Sequence, residues 1–303
     1  MMDGDAQGRI TRHRHETALG SWTVATCRPH PRLAGLVATT WYGEGRVSYQ
    51  RDRILPGGQA YLLINLGPLQ YLVEPGPPET RVPFRDLWYS GAQQRPLDTE
   101  APHGNALVGV AFHAAGAWGV LGVEQQALAD RVLPLADVLG DGVLALRQRL
   151  LETPGIEARL QQVEDWLLAR MAPRRGVHPA VQWALQRIGA SRGQVSVAML
   201  ARDSGYTRKH LAGLFTRQTG HSPKVLARVH RFRAALALLG GPRPVPWAEL
   251  AACCGYYDQS HLVRDFRDFA GAPPAGFLAA MPAFTAFFTA ARNAPRRSRH
   301  VER

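Results

Sequence analysis

One short run near the C-terminus carries side chains suited to hydrogen-bonded recognition: Gln259, Ser260, Val263, Arg264 and Arg267. On a helix, Leu262 and Phe266 share one face at i and i+4. That face turns inward, leaving Ser260, Val263, Arg264 and Arg267 outward and Gln259 in the exposed first turn. Gln and Arg each make bidentate hydrogen bonds to base edges, Gln to adenine and Arg to guanine. An earlier run turns Thr207, Arg208, Lys209, Ala212, Gly213, Thr216 and Arg217 outward in the same way. Its cations suit phosphate as well as bases, and Gly213 costs a helix roughly 1 kcal/mol against Ala.

Both runs occupy the same place in an internal repeat. Leu200, Ala201, Gly205, Tyr206, His210, Leu211, Phe215, Gly220 and Pro223 recur as Leu250, Ala251, Gly255, Tyr256, His261, Leu262, Phe266, Gly271 and Pro274. The offset is 50 residues up to the tyrosine and 51 from the histidine on, because the second copy has one extra turn residue. Self-similarity of this kind marks one structural unit used twice. Each copy has the pattern of a helix-turn-helix. In the first, Ser196 caps a helix from Val197 to Asp203, Gly205 makes the turn, and Thr207 caps a recognition helix to about Thr219. Ser222 as N-cap and Pro223 at the first helical position start a long linking helix. Its apolar face is Leu226, Val229, Phe232, Leu236 and Leu239, and Gly240-Gly241-Pro242 ends it. In the second copy Pro246 starts the supporting helix, and Asp258 caps a recognition helix to about Ala270.

These residues resemble the AraC/XylS family of transcriptional regulators, over about residues 178–280. The densest part is the string from Gly255 to Phe266 (GYYDQSHLVRDF). The resemblance implies two three-helix units joined by a long helix, each recognition helix lying in the major groove. Base-contacting positions of the family fall on Lys209, Ala212 and Gly213, and on Gln259, Ser260, Val263 and Arg264. Ala212 and Gly213 replace the polar residues often found there, which points the first unit toward phosphate and shape. The segments Ile54–Gly58 and Gly109–His113 look like the β-rich regulatory domain of some members.

The charge distribution agrees. Residues 191–303 hold 17 basic and 6 acidic residues, against 19 and 18 in residues 1–190. Nearly all of the formal +12 therefore lies with the repeat, as a polyphosphate partner requires. Of the 36 basic residues 34 are Arg, which codon usage explains, but codon usage does not explain the imbalance between halves. A chain of 303 residues fits two domains of ordinary size. Cys27, Cys253 and Cys254 form no disulfide framework and suit a reducing cytoplasm. Residues 1–10 lack a signal-peptide core. The apolar stretch 276–291 contains Pro282 and falls short of the ~18 apolar residues of a membrane span. A soluble cytoplasmic protein is expected, with no membrane partner.

The expected fold class is α+β. Residues 1–122 are assigned to a β-rich, barrel-like sensor domain, since short apolar runs at 36–38, 61–64, 71–73 and 107–110 alternate with Gly/Pro turns between residues 21 and 115. Residues 123–177 read as a helical connector, with Ile156, Leu160, Val163 and Leu167 on one face and a linker at 171–176. That face fits packing on its own chain better than a dimer seam. Residues 178–280 form the all-α DNA-binding domain with its two helix-turn-helix units, and 281–303 a basic tail. Trp41, Tyr42, Tyr61 and Trp88 are candidates to line a sensor pocket, although strand aromatics are usually core.

Other constellations carry less. His13-Arg14-His15 reads as surface histidines on a polar tail, with no metal set following it. Gly116–Gly119 lacks a nucleotide-binding pattern. His210 and His261 read as packing or phosphate-contacting residues, and Cys253-Cys254 as small packing residues. No catalytic set, cofactor or metal site is expected. The partners are double-stranded DNA, a small-molecule effector, RNA polymerase and, as an option, a second copy of the chain. The rival readings are a cupin-type metal enzyme or a protein-interaction module fused to a DNA-binding domain.

Overall fold

The computed structural model describes residues 6–17, 20–47, 51–171, 176–239 and 246–280. The basic tail, the end of the linking helix at 240–242 and most of the 171–176 linker lie outside them. The first half is built of strands β1 Ile10–Thr17, β2 Gly20–Cys27, β3 Val37–Val47, β4 Arg51–Ile54, β5 Tyr61–Asn65, β6 Gln70–Glu74, β7 Thr80–Phe84, β8 Leu87–Ser90, β9 Leu97–Glu100, β10 Asn105–Phe112 and β11 Val132–Pro134. They form two antiparallel sheets, one of seven strands in the order β1-β2-β3-β10-β5-β8-β11 and one of four in the order β4-β9-β6-β7. The sheets are layered like a barrel but do not close.

Period-two alternation explains why both faces of the larger sheet are apolar. Val108, Val110 and Phe112 of β10, with Leu62 and Ile64 of β5 and Tyr89 of β8, turn to one side and are fully buried under helices. Leu107, Leu63 and Trp88 turn to the other side, where Leu72 and Phe84 of the smaller sheet meet them. Trp41 stands in this inter-sheet layer opposite Gly109. A Cβ at Gly109 would overlap the Trp41 indole, so the glycine makes room for the ring. Tyr42, the next residue, necessarily points to the helical side and donates its hydroxyl to Glu44 at 2.8 Å.

Two segments differ from the sequence expectation. His13-Arg14-His15 is not a tail but part of β1, the edge strand, with His15 stacked on Trp22 at 5.0 Å. Its mixed polar residues hide the alternation, as suits an edge kept charged against further pairing. The stretch expected to be helical from residue 123 gives the sheet its last strand, β11, which pairs with β8 and is too short to show a period.

The helices that follow are α1 Gly116–Leu121, α2 Leu135–Leu139, α3 Leu144–Glu152 and α4 Ile156–Arg170. On α4, Leu160, Val163 and Leu167 are buried in the core of the β-rich domain, so its apolar face is filled by its own chain. Glu164 is buried beside them, accepting from Arg9 at 2.6 and 2.7 Å and from the His30 amide at 2.6 Å. The second half comprises α5 Pro179–Ala190, α6 Val197–Ser204, α7 Arg208–Thr219, α8 Pro223–Leu239, α9 Trp247–Cys253, α10 Gln259–Ala270 and α11 Pro274–Ala280. No helix among the described residues is long and apolar enough to cross a membrane.

Candidate nucleic-acid interface

The repeat folds as two units with matching local hydrogen bonds. Ser196 accepts from the Met199 amide and starts α6. At its end Gly205 takes φ +74°, and the Tyr206 amide donates to Ala201 O at 3.1 Å. In the second unit Gly255 takes φ +72°, and the Tyr256 amide donates to Ala251 O at 2.9 Å. This six-to-one closure with a left-handed glycine sets the sharp angle between the two helices of each unit. The extra residue of the second copy is Tyr257, which stands 94% exposed in the turn. Thr207 then accepts from the His210 amide at 3.2 Å, and Asp258 from the His261 amide at 2.7 Å. His210 stacks on Tyr206 at 4.9 Å, while His261 meets Tyr256 edge-on at 5.2 Å.

Helix α8 belongs to both units. Its Leu226 and Ala227 enter the first core with Leu200, Leu211 and Phe215. Its Val229, Phe232 and Ala235 enter the second with Leu250, Leu262, Phe266 and Phe269. At 1.5 Å per residue α8 is about 25 Å long, and burial at both ends makes it a strut. Arg228 ties it to the second recognition helix. The wholly buried Asp265 of α10 accepts from Arg228 Nε at 3.0 Å and Nη2 at 2.7 Å, and Nη2 also reaches Asp268 at 2.5 Å. This pair was not read from the sequence; Asp265 sits between Leu262 and Phe269 on the inner face, and that placement is the signal.

The expected contact residues divide into two groups. Thr207, Arg208 and Lys209 are exposed in the first turn of α7, and Gln259, Ser260 and Arg264 are exposed on α10 with Val263 half-buried between them. Of the others, Arg217 and Arg267 approach the β-rich domain. Thr216 is half-buried, and the Arg217 guanidinium lies 5.6 Å from the ring centroid of Trp118 in α1. Arg267, though exposed, lines a cleft with Arg53, Arg95, Asp98 and Asp130 of the β-rich domain. The C-terminal ends of both recognition helices therefore face protein.

Domain docking also runs through His221, between α7 and α8. One ring nitrogen lies 2.8 Å from Ala92 O and the other 3.4 Å from the Gln94 amide. A short 3-10 turn, Gln125–Leu128, packs against α7, and Arg53 donates to Ala270 O at the end of α10. Cys254 is buried next to the turn, with its thiol pushed up by burial, whereas Cys253 is exposed and does not have the packing role expected of it.

A second feature is a cavity of about 80 Å³ between the two sheets. Tyr61, Leu63, Leu72, Phe84, Trp88 and Leu107 line it. Of the four candidate aromatics, Tyr61 and Trp88 reach it, Trp41 packs beside it, and Tyr42 is turned away by strand alternation. Gln70 and Asn105, not foreseen in the sequence, also line it. Among the described residues no group of three or more His, Cys, Asp or Glu side chains is placed to hold a metal.

Residues 200–280 match the helix-turn-helix domain family, and residues 25–134 match a domain of unknown function (DUF6597). Among solved structures, the DNA-binding domain of AdpA, a global transcriptional factor in complex with a target DNA, is 29% identical, with a TM-score of 0.29 over 34% of this chain and 90% of that one. The C-terminal domain of AraT, a response regulator from Geobacillus stearothermophilus, is 20% identical, with a TM-score of 0.32 over 41% and 97%. ToxT from Vibrio cholerae is 7% identical, with a TM-score of 0.41 over 92% and 100%. No curated protein matches the chain.

Proposed function

We propose that the chain, whose residues 200–280 match a helix-turn-helix domain family, is a DNA-binding transcriptional regulator of the AraC/XylS type, and that its two units divide the work of reading a site. The second unit reads bases through Gln259, Ser260, Val263 and Arg264, and the first holds the backbone through Thr207, Arg208 and Lys209. The observation that carries this division is the pair of caps. Thr207 leaves the positive end of the α7 dipole uncompensated, and its hydroxyl hydrogen is still available to donate, which suits a phosphate. Asp258 places a carboxylate at the same end of α10, which disfavours phosphate there and leaves the exposed Gln259 and Arg264 to base edges. Arg217 and Arg267, which lie beside residues of the β-rich domain, act in docking on this reading.

The strut α8 would set the two recognition helices in successive major grooves, ~34 Å apart on one face of the duplex. One chain then covers both, and its site need not be palindromic. The β-rich domain, which docks on both units and contains a cavity, is the sensor for a small-molecule effector. On this reading the protein acts in the cytoplasm on transcription by RNA polymerase, as one copy or two, and catalyses no reaction of its own.

The test uses a duplex selected by the chain from a random pool, with a scrambled duplex beside it, at two salt concentrations. Arg264→Ala should lose discrimination by ~1–3 kcal/mol, whereas Arg208→Ala should weaken both duplexes alike and make the salt dependence shallower. If Arg264→Ala keeps its full specificity ratio and Arg208→Ala loses it, the roles are reversed.

A further inference from the structure

Helix α7 carries in its middle a glycine that its own fold does not require. A Cβ at Gly213 would meet nothing within 4 Å, and the backbone there is not left-handed. Neither packing nor conformation asks for glycine, the poorest helix former after proline. The internal repeat sharpens the contrast. At the offset of 51 residues the counterpart of Gly213 is Arg264, exposed on α10. The family resemblance places Gly213 among base-contacting positions, but glycine has no side chain with which to read a base.

What the glycine leaves is a notch on the exposed side of α7, lined by Thr207, Lys209, His210, Gly213, Leu214 and Arg217. Lys209 and Arg217 lie four residues before and after Gly213, so the helix sets one cation on either side of it along one face. The Arg217 guanidinium carbon is 5.6 Å from the Trp118 ring centroid, which puts this wall of the notch beside the β-rich domain. Lys209 is exposed in the first turn, and His210 stacks on Tyr206 at 4.9 Å. Helix α7 contains no Asp or Glu, whereas α10 contains Asp265 and Asp268. The notch is positive at its rim, and its floor is the helix backbone itself.

We propose that this notch seats one sugar-phosphate unit of the duplex against the backbone of α7, with Lys209 as the cation on its phosphate, and that Gly213 thereby sets how closely the first unit approaches DNA. This rests on the reading of the first unit as the one that holds the DNA backbone. Side chains give an α-helix a radius of about 5–6 Å, against about 2.3 Å at its Cα atoms. A bare glycine therefore admits a neighbour roughly 3 Å nearer the axis, a use of glycine wherever a backbone must come close to a ligand. Charge and position fix the occupant. A rim with Lys209 and Arg217 and no carboxylate fits an anion. The notch also continues from the exposed turn at Thr207, Arg208 and Lys209, so its anion belongs to a chain of phosphates running along the helix. At the same place the second unit extends Arg264, which holds α10 off by the length of a side chain and reaches base edges.

The experiment uses the full chain, titrated against the selected and scrambled duplexes at two salt concentrations, with the melting temperature of each variant measured beside it. Gly213→Ala should melt about 2 °C higher yet bind both duplexes about 5-fold more weakly, and Gly213→Leu about 50-fold more weakly, as the filled notch resists close approach. The ratio of the two affinities should stay that of the parent, and the salt dependence should become shallower by about one phosphate. Lys209→Ala should weaken the parent by about 5-fold but Gly213→Leu by less than about 2-fold, because the phosphate it serves is no longer seated. If Gly213→Leu binds both duplexes as the parent does while Arg208→Ala weakens both, the notch is empty on DNA: the proposal falls and the reading of the first unit stands. A loss confined to the selected duplex shows that the notch meets a base edge and overturns the occupant. Full additivity of Lys209→Ala with Gly213→Leu overturns the shared phosphate, and a Gly213→Ala chain that melts lower than the parent shows that the glycine serves the fold instead. If neither Gly213→Leu nor Arg208→Ala alters binding, the proposal falls together with the reading beneath it.

Discussion

The Arg228–Asp265 pair gives a direct measure of what holds the second recognition helix in place. In Arg228→Met an unbranched apolar side chain is kept, and the guanidinium, whose carbon lies 5.0 Å from the Phe269 ring centroid, is removed with its charge. Asp265 is fully buried and draws both hydrogen bonds on its Oδ1 from Arg228, so the substitution leaves a buried carboxylate without its counter-charge. Breaking a buried pair from one side costs ~3–5 kcal/mol. The Arg228 side chain is 23% exposed, so water reaches the site in part and the low end applies, about 3 kcal/mol. For a helical domain of this size that corresponds to a fall in melting temperature of more than about 10 °C. Calorimetry of the chain and of Arg228→Met gives the difference, and Arg228→Met/Asp265→Asn should recover a large part of it by removing the stranded charge. A loss below about 1 kcal/mol, or a double variant no more stable than Arg228→Met, would refute the argument that this pair anchors α10 to α8.

Three other outcomes are expected. Gly109→Ala should destabilise the β-rich domain by ~1–3 kcal/mol through overlap with Trp41, seen as a lower melting temperature with altered tryptophan emission, and unchanged emission would count against it. Ser196→Ala and Asp258→Ala should each cost ~1 kcal/mol in denaturant titrations as their helices lose an N-cap, and a neutral result at either position would contradict the capping geometry. Burial holds His113 and His230 below the usual histidine value of 6.5, so the unfolded chain takes up protons first; stability present above that pH should be lost as pH falls through it, and His230→Gln should flatten the loss in urea titrations between about pH 7.5 and 5.5.

The helix-turn-helix units were legible because their constraints are local. A turn that needs a left-handed residue selects Gly205 and Gly255, an uncapped helix end selects Ser196, Thr207 or Asp258, and the inner face must be Leu and Phe. The 50-residue offset then exposed the duplication, and Tyr257 as its one inserted residue. The strands between residues 37 and 112 were legible from their apolar runs and turns. β1 was not, since an edge strand of His, Arg and Glu has no apolar face to betray it, nor was β11, three residues ending in proline. Residue contacts between the two halves of the chain were also beyond local pattern. Nothing near Arg217 announces Trp118, nothing near Gly58 announces Leu226, and the outward face of a helix does not say what lies outside it. Arg217 and Arg267, expected as DNA contacts, are exposed and also lie beside residues of the β-rich domain, a neighbourhood that local pattern does not announce.

That neighbourhood bears on how such a regulator can be controlled. A recognition helix enters the major groove with its N-terminal residues, and in both units those turns stand exposed while the C-terminal ends meet the β-rich domain. The two surfaces do not compete, so docking in this arrangement need not block DNA physically. What docking fixes instead is the relation of one unit to the other, because the β-rich domain touches the first through Trp118 and Ala92, the second through Arg53, and the strut between them at Gly58. On the proposed reading, two helices that reach successive grooves at once tolerate little error in their separation, and each bond to a base or phosphate weakens steeply with misalignment. A change too small to expose or cover any residue is then enough to separate one-unit from two-unit binding. Control by spacing, rather than by occlusion, is the mode this architecture favours.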